Sequence, residues 1–213
     1  METLHNSLVS TWRALQAAEI TSYRESFKRR GDYFGFFSIP GLEHAERAGA
    51  TIAKSCPLCL DIGCGVLPRP SYMQTKFMGL DPFFGEGPRQ FPFTQAIGEH
   101  LPFLSASFPC VSFMSTIDHQ IDPLVSLREA WRVLQLGGFI WLWLELRSET
   151  DGRYWWWKQQ PLGTLFDDHH QHAFIKADIE ELFRLAGFRW LGMDIYPGTY
   201  QWPPTALVLG AKP

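Results

Sequence analysis

A short apolar run, Leu58–Ile62, stops abruptly at two glycines within residues 59–65 (CLDIGCG). Such a run reads as a buried strand whose backbone turns sharply at its carboxyl end. A strand of this kind needs partners beside it and cover on both faces, and the rest of the chain must supply them. Residues 76–80 and 110–115 form further strand-like runs, and 139–146 is a strongly apolar one. Asp122 can cap a helix with Pro123 in its first turn and Leu124, Leu127, Trp131 and Leu134 inward, stopped by Gly137 and Gly138. A second helix over 178–186 turns Ile179, Leu182, Phe183 and Ala186 inward and ends at Gly187. Strands around 189–196 and 205–210 close the chain. Alternating strands and helices predict an α/β fold with a mostly parallel sheet between helical layers. Ahead of this pattern, 2–20 and 22–30 read as helices, the first with Leu4, Leu8, Trp12 and Leu15 on one face. Pro40 and Gly41 read as a turn. The expected organisation is an N-terminal helical cover over 1–50 and a main domain over 51–213, with a lid-like insert at 147–172.

Composition narrows the function classes. With 46% hydrophobic and 19% charged residues, 213 residues suffice for one globular core. A net charge of −3 offers no basic field for phosphates, so nucleic acid is not an expected partner. Lys28, Arg29 and Arg30 read as a solvated helix face. Glu2 and His5 interrupt the N-terminus, and no apolar stretch reaches the roughly 18 residues of a membrane span, so a cytoplasmic protein is expected. The four cysteines, Cys56, Cys59, Cys64 and Cys110, are too few for a disulfide framework. Cys56 and Cys59 have zinc or redox spacing, but they enter a strand and no second pair follows, which favours buried small side chains.

The glycine turn has several candidate ligands. A dinucleotide fold needs G-x-G-x-x-G to bring a helix N-terminus to pyrophosphate. Here the third position is Pro68, followed by Arg69 and Pro70. No Gly-Lys-Ser/Thr follows, so a phosphate-binding P-loop is excluded. S-adenosylmethionine has no phosphate. It needs close backbone approach, which Gly63 and Gly65 provide, beside an acid such as Asp61 that can face its aminocarboxylate end. Asp81, at a second strand end, can accept hydrogen bonds from ribose hydroxyls.

The ordered strings DIGCG (61–65), GLDP (79–82), EHLPF (99–103), REAWRVLQLGG (128–138) and AGF (186–188) resemble the class I, type 11, small-molecule S-adenosylmethionine-dependent methyltransferases. The resemblance spans roughly residues 55–210. It implies a Rossmann-like α/β sandwich with a seven-stranded sheet, its last strand antiparallel, and the cofactor across the carboxyl edge. It implies cofactor contacts at Asp61, Gly63, Cys64, Gly65, Asp81, Pro82, Glu99, His100, Leu101, Ser115 and Thr116. Members often carry an Asp two residues before the Glu of the third string; here Ile97 stands there, leaving adenine to Glu99, the backbone near His100 and Leu101, and apolar walls.

Methyl transfer is an in-line displacement, and a general base helps when the nucleophile is a hydroxyl. His119 follows the fourth strand at the edge where the methyl group would be presented, and is the first candidate for base or orienting residue. His169, His170 and His172 precede the helix at 178–186 and could fold over the same edge. With Asp167 and Asp168 they have metal-ligand chemistry, but the family likeness implies no metal. Trp155, Trp156 and Trp157 in the insert suit a flat or glycan-type small acceptor or a contact between two copies, so a homodimer is one expectation. The expected activity is methyl transfer to O or N. The alternatives are a noncatalytic scaffold of the same fold, and a nicotinamide-dependent oxidoreductase, which Pro68 disfavours.

Overall fold

The structure is a computed structural model that describes residues 40–66, 72–84, 88–147, 170–198 and 203–213, with scattered residues between 10 and 25. Those scattered residues are helical, in keeping with the expected N-terminal helices. Leu4, Leu8, Trp12 and Leu15 lie outside the described residues, as do 148–169 of the insert and Pro68 in the glycine loop.

The elements in chain order are α1 (Pro40–Ser55), β1 (Leu58–Ile62), β2 (Lys76–Asp81), β3 (Phe93–Gln95) and β4 (Phe108–Met114). A short 3-10 turn over Ile117–His119 follows, then α2 (Pro123–Val133), β5 (Leu134–Glu145), α3 (Lys176–Ala186), β6 (Arg189–Tyr196) and β7 (Thr205–Ala211). One seven-stranded sheet has the order β3-β2-β1-β4-β5-β7-β6. β7 runs antiparallel between β5 and β6, and the pairings from β3 through to β5 are parallel. This is the expected sheet, including its antiparallel last strand.

Successive side chains on a strand point to opposite faces, so each central strand feeds two cores. Leu60, Ile62, Val111, Phe113, Ile140, Leu142 and Val208 face one way, against Leu127 and Val133 of α2 and Ile179, Leu182 and Phe183 of α3. Cys59, Cys110, Met114, Trp141 and Leu207 face the other way, against Ala48 and Ile52 of α1. All four cysteines are buried free thiols. No helix among the described residues is long and apolar enough to cross a membrane.

Asp122 caps α2 as its position predicts: Oδ1 accepts from the Leu124 and Val125 N–H groups at 3.0 and 3.1 Å, worth about 1 kcal/mol. Gly187 ends α3 in the left-handed conformation. Two expectations need correction. Pro40 and Gly41 do not form a free turn but open α1, because the missing N–H of a first-turn proline costs a helix nothing. α2 ends at Val133, ahead of Gly137 and Gly138, because Leu134 is already extended. The Lys212 ammonium donates to the Leu134 carbonyl at 2.8 Å, and Lys212 pairs by backbone with Gly137 and Gly138. These contacts draw 134–138 into β5, so the two glycines sit within a strand.

Candidate active site

Parallel strands place their carboxyl ends, and the loops leaving them, along one edge, where open α/β sheets bind ligands. The glycine turn after β1 sits there. Gly63 and Gly65 both have left-handed backbones, with φ of 77° and 74°. A Cβ on Gly63 would lie 2.6 Å from Thr116 Cβ, so only glycine lets the β1 turn close against the loop after β4. Thr116 Oγ1 donates to the Ile62 carbonyl at 2.8 Å, and the Gly63 N–H donates to the Leu80 carbonyl at 2.7 Å. The turn is thereby fixed from both neighbouring strands. Ser115 beside it takes a positive φ of 56°.

Asp81 ends β2 and organises the same loops. Its Oδ2 accepts from the Gly65 N–H and its Oδ1 from the Phe83 N–H, both at 2.8 Å. Each carboxylate oxygen can accept two hydrogen bonds, so these contacts leave the carboxylate able to meet hydroxyls as well. Pro82 accepts from the Gln95 amide at 2.8 Å. Cys64 is buried, and burial raises its thiol pKa, with the Asp61 and Asp81 charges adding to the effect. Arg89, which the motif reading missed, spans both loops: its guanidinium donates to Gly65, Phe83 and Phe84 carbonyls at 2.7, 3.1 and 3.0 Å and lies over the Phe93 ring. Its only sequence signal was an arginine among phenylalanines.

Asp61 is fully buried. Oδ1 accepts from the Ser112 hydroxyl at 2.8 Å and Oδ2 from the Tyr72 hydroxyl at 3.2 Å. Burial pushes its pKa up to about 7, against the lowering effect of both hydroxyls and with a further rise from Asp81. The acid therefore sits beneath the glycine turn and not on its rim.

The third string, 99–103, packs against α2. Glu99 Oε1 accepts from the Ile121 and Asp122 N–H groups at 2.7 and 3.1 Å, which ties it to the start of α2, and burial raises its pKa. The Leu101 N–H donates to Glu129 Oε2 at 3.0 Å, while Arg132 donates to the Leu101 and Phe103 carbonyls at 2.9 and 2.8 Å. Glu129 and Arg132 also pair with one another at 2.8 Å. The 128–138 string is thus a strut that holds the 99–103 string at the sheet edge. His100 is exposed, and Ile97 beside it is half-buried.

On the other side of the turn, the loop after β4 meets the segment before α3. The Gln171 and His172 N–H groups donate to the Asp118 carbonyl, both at 3.1 Å, and the Gln171 amide donates to the His119 carbonyl at 3.1 Å. This pairing brings His170 to His119, ring centroids 4.9 Å apart, with the Asp118 carboxylate between them. His172 is nearly sealed; its Nε2 contacts the Gln120 carbonyl at 2.8 Å, and burial lowers its pKa to about 4, so it stays neutral. His169, Trp155, Trp156 and Trp157 lie outside the described residues.

A strand-order switch at the carboxyl edge, a glycine turn, Asp61 within β1 and Asp81 at the end of β2 together build a cleft of the kind in which open α/β sheets bind ligands. The residues fit S-adenosylmethionine, since Gly63 and Gly65 allow close backbone approach and the Asp81 carboxylate lies beside the turn, with Asp61 below it as a hydrogen-bonded acid. Residues 60–142 match the methyltransferase domain family of type 11. A search of curated proteins gives no match. Among solved structures, the 1,6-didemethyltoxoflavin-N1-methyltransferase of Burkholderia thailandensis, with bound 1,6-didemethyltoxoflavin and S-adenosylhomocysteine, is 15% identical. The match covers 94% of this chain and 88% of that one, with a TM-score of 0.67. A possible histamine N-methyltransferase of Thermotoga maritima is 19% identical over 91% of this chain and 96% of its own, at TM-score 0.60. The [4+2]-cyclase SpnF is 16% identical over 79% and 80%, at TM-score 0.59. These likenesses establish the fold. The domain match over 60–142 likens that segment to methyltransferase domains of type 11.

Proposed function

We propose that this chain is a class I S-adenosylmethionine-dependent methyltransferase of type 11 that transfers the methyl group to an oxygen or nitrogen of a small-molecule or glycan-type acceptor held beside His119. The observation that carries this reading is the convergence of His119 and His170 on Asp118, just beyond the Thr116 that closes the glycine turn. When bound, the cofactor supplies an electrophilic methyl carbon: the acceptor lone pair bonds to it as the carbon–sulfur bond breaks, leaving S-adenosylhomocysteine. In this reading Gly63, Cys64 and Gly65 give the cofactor close backbone approach, with Ser115 and Thr116 bracing that turn. Asp81 and Pro82 meet the ribose end, and Glu99, His100 and Leu101 shape the adenine end through the strut from α2. Asp61 holds the turn from below and supplies charge there only once pH rises past about 7.

His119 orients the acceptor and takes its proton. The Burkholderia enzyme, bound to a small flat heterocycle, lends support to an acceptor of that size. The expected result for His119→Ala is a fall in turnover of about 100-fold or more, with S-adenosylhomocysteine affinity nearly unchanged. Release of S-adenosylhomocysteine from a panel of hydroxyl- and amine-bearing acceptors measures the first quantity and calorimetry the second. Unchanged turnover removes His119 from the reaction.

A further inference from the structure

We infer that Asp118, His119 and His170 form a binding site for a divalent transition-metal ion at the acceptor side of the cleft, with Zn2+ the ion their chemistry suits best. Two imidazoles and one carboxylate are the ligand types of open, catalytic-type sites. One ligand atom from each residue lies within 4.8 Å of the others. His119 Nε2 stands 3.8 Å from Asp118 Oδ1, and His170 Nε2 stands 3.9 Å from Oδ2. Those gaps are too long for hydrogen bonds. They are about half an ångström wider than the roughly 3.4 Å between ligand atoms around a tetrahedral zinc, and with the set spread over up to 4.8 Å the imidazoles must rotate inward to close on an ion.

A second observation points into the same space. Asp118 is 6% exposed, and its Oδ1 is buried and accepts no hydrogen bond among the described residues. An acceptor buried without a partner is costly, and a cation between the two imidazoles would satisfy it. The ligands are also held together by the protein itself: Gln171 and His172 bind the Asp118 carbonyl and the Gln171 amide binds the His119 carbonyl, which joins two distant segments. The His119 and His170 side chains are 17% and 23% exposed, so one side of the site opens outward. When the ion is bound, an acceptor oxygen would enter there and be polarised by it, with His119 as its ligand; without the ion His119 acts as the base proposed above. That role rests on the reading of this edge as the acceptor side; the existence of the site does not. The proposal departs from the expectation that the histidine cluster holds no metal.

The test uses the full chain, freed of metal with a chelator and assayed without cofactor or acceptor. Titration with Zn2+ against a chromophoric chelator, and with Co2+ by visible absorption, is expected to show one ion per chain, with Co2+ bands of a low-coordinate nitrogen–oxygen site. His170→Ala, at a partly exposed position, should weaken Zn2+ binding at least about 100-fold, as should Asp118→Asn, provided each variant keeps the wild-type circular dichroism. Binding that is absent, or that both folded variants retain, overturns the site. Methyl transfer that persists in chelator would separate that failure from the enzyme reading, in which His119 acts as general base.

Discussion

Replacing Gly63 with alanine is expected to weaken S-adenosylmethionine binding by about two orders of magnitude or more, since a misplacement of about an ångström costs that much at a preorganised site. Two effects act together. The residue sits at a φ of 77°, a conformation that side chains other than glycine adopt at a cost of about 1–3 kcal/mol. The new Cβ would also overlap the Thr116 side chain, whose hydroxyl holds the Ile62 carbonyl. The β1 turn and the loop after β4 would have to separate, and those loops frame the centre of the cleft. Calorimetric titration reads the affinity, and urea unfolding reads the stability loss. A variant that binds the cofactor as well as the parent would contradict this placement of the turn.

The second large effect is a pH dependence. Asp61 has a folded pKa of about 7, well above its ordinary value near 3.8, chiefly because it is buried. Between those values the folded chain holds a proton that the unfolded chain has released. Stability is therefore highest below about pH 4 as far as Asp61 is concerned, falls as pH rises towards 7, and levels off above it. The contribution is on the order of 4 kcal/mol across that window. Asp61→Asn keeps the shape and can keep contacts with Ser112 and Tyr72, because both hydroxyls can rotate to donate or accept. The difference in unfolding free energy between variant and parent should grow in the variant's favour from pH 4.5 to pH 7.5, measured by urea titration. Taking the difference cancels the other groups, among them His172, whose lowered pKa gives the opposite slope. A difference independent of pH would show that Asp61 is ionised throughout. The same substitution should weaken cofactor binding if the charge beneath the turn attracts the cationic end of S-adenosylmethionine.

Much of the fold was legible because its signals are local. The apolar strands, the Asp122 cap and the Gly187 stop each rest on a few neighbouring residues, and the structure has them as expected. The end of α2 was not legible, because Lys212, from the last residues of the chain, helps to decide it. α1 was missed because proline marks a helix start as readily as a turn. At the site, the glycines and the two acids after β1 and β2 could be found by spacing. Their partners could not: Tyr72 and Ser112 on Asp61, Arg89 across two loops, and Glu129 with Arg132 behind the third string come together only through strand order and packing. Glu99 shows the same limit, since the string placed it at the right edge while its carboxylate binds the start of α2. The meeting of His119 with His170 depends on backbone pairing between segments about fifty residues apart, which no spacing rule encodes.

The central claim is that this cleft binds S-adenosylmethionine and its product, and calorimetric titration of the full chain with S-adenosylhomocysteine tests it most directly. Saturable binding at one site per chain is predicted, with NADH giving no heat of binding under the same conditions. Absence of binding by S-adenosylhomocysteine and S-adenosylmethionine alike, from a chain shown to be folded, would contradict the account.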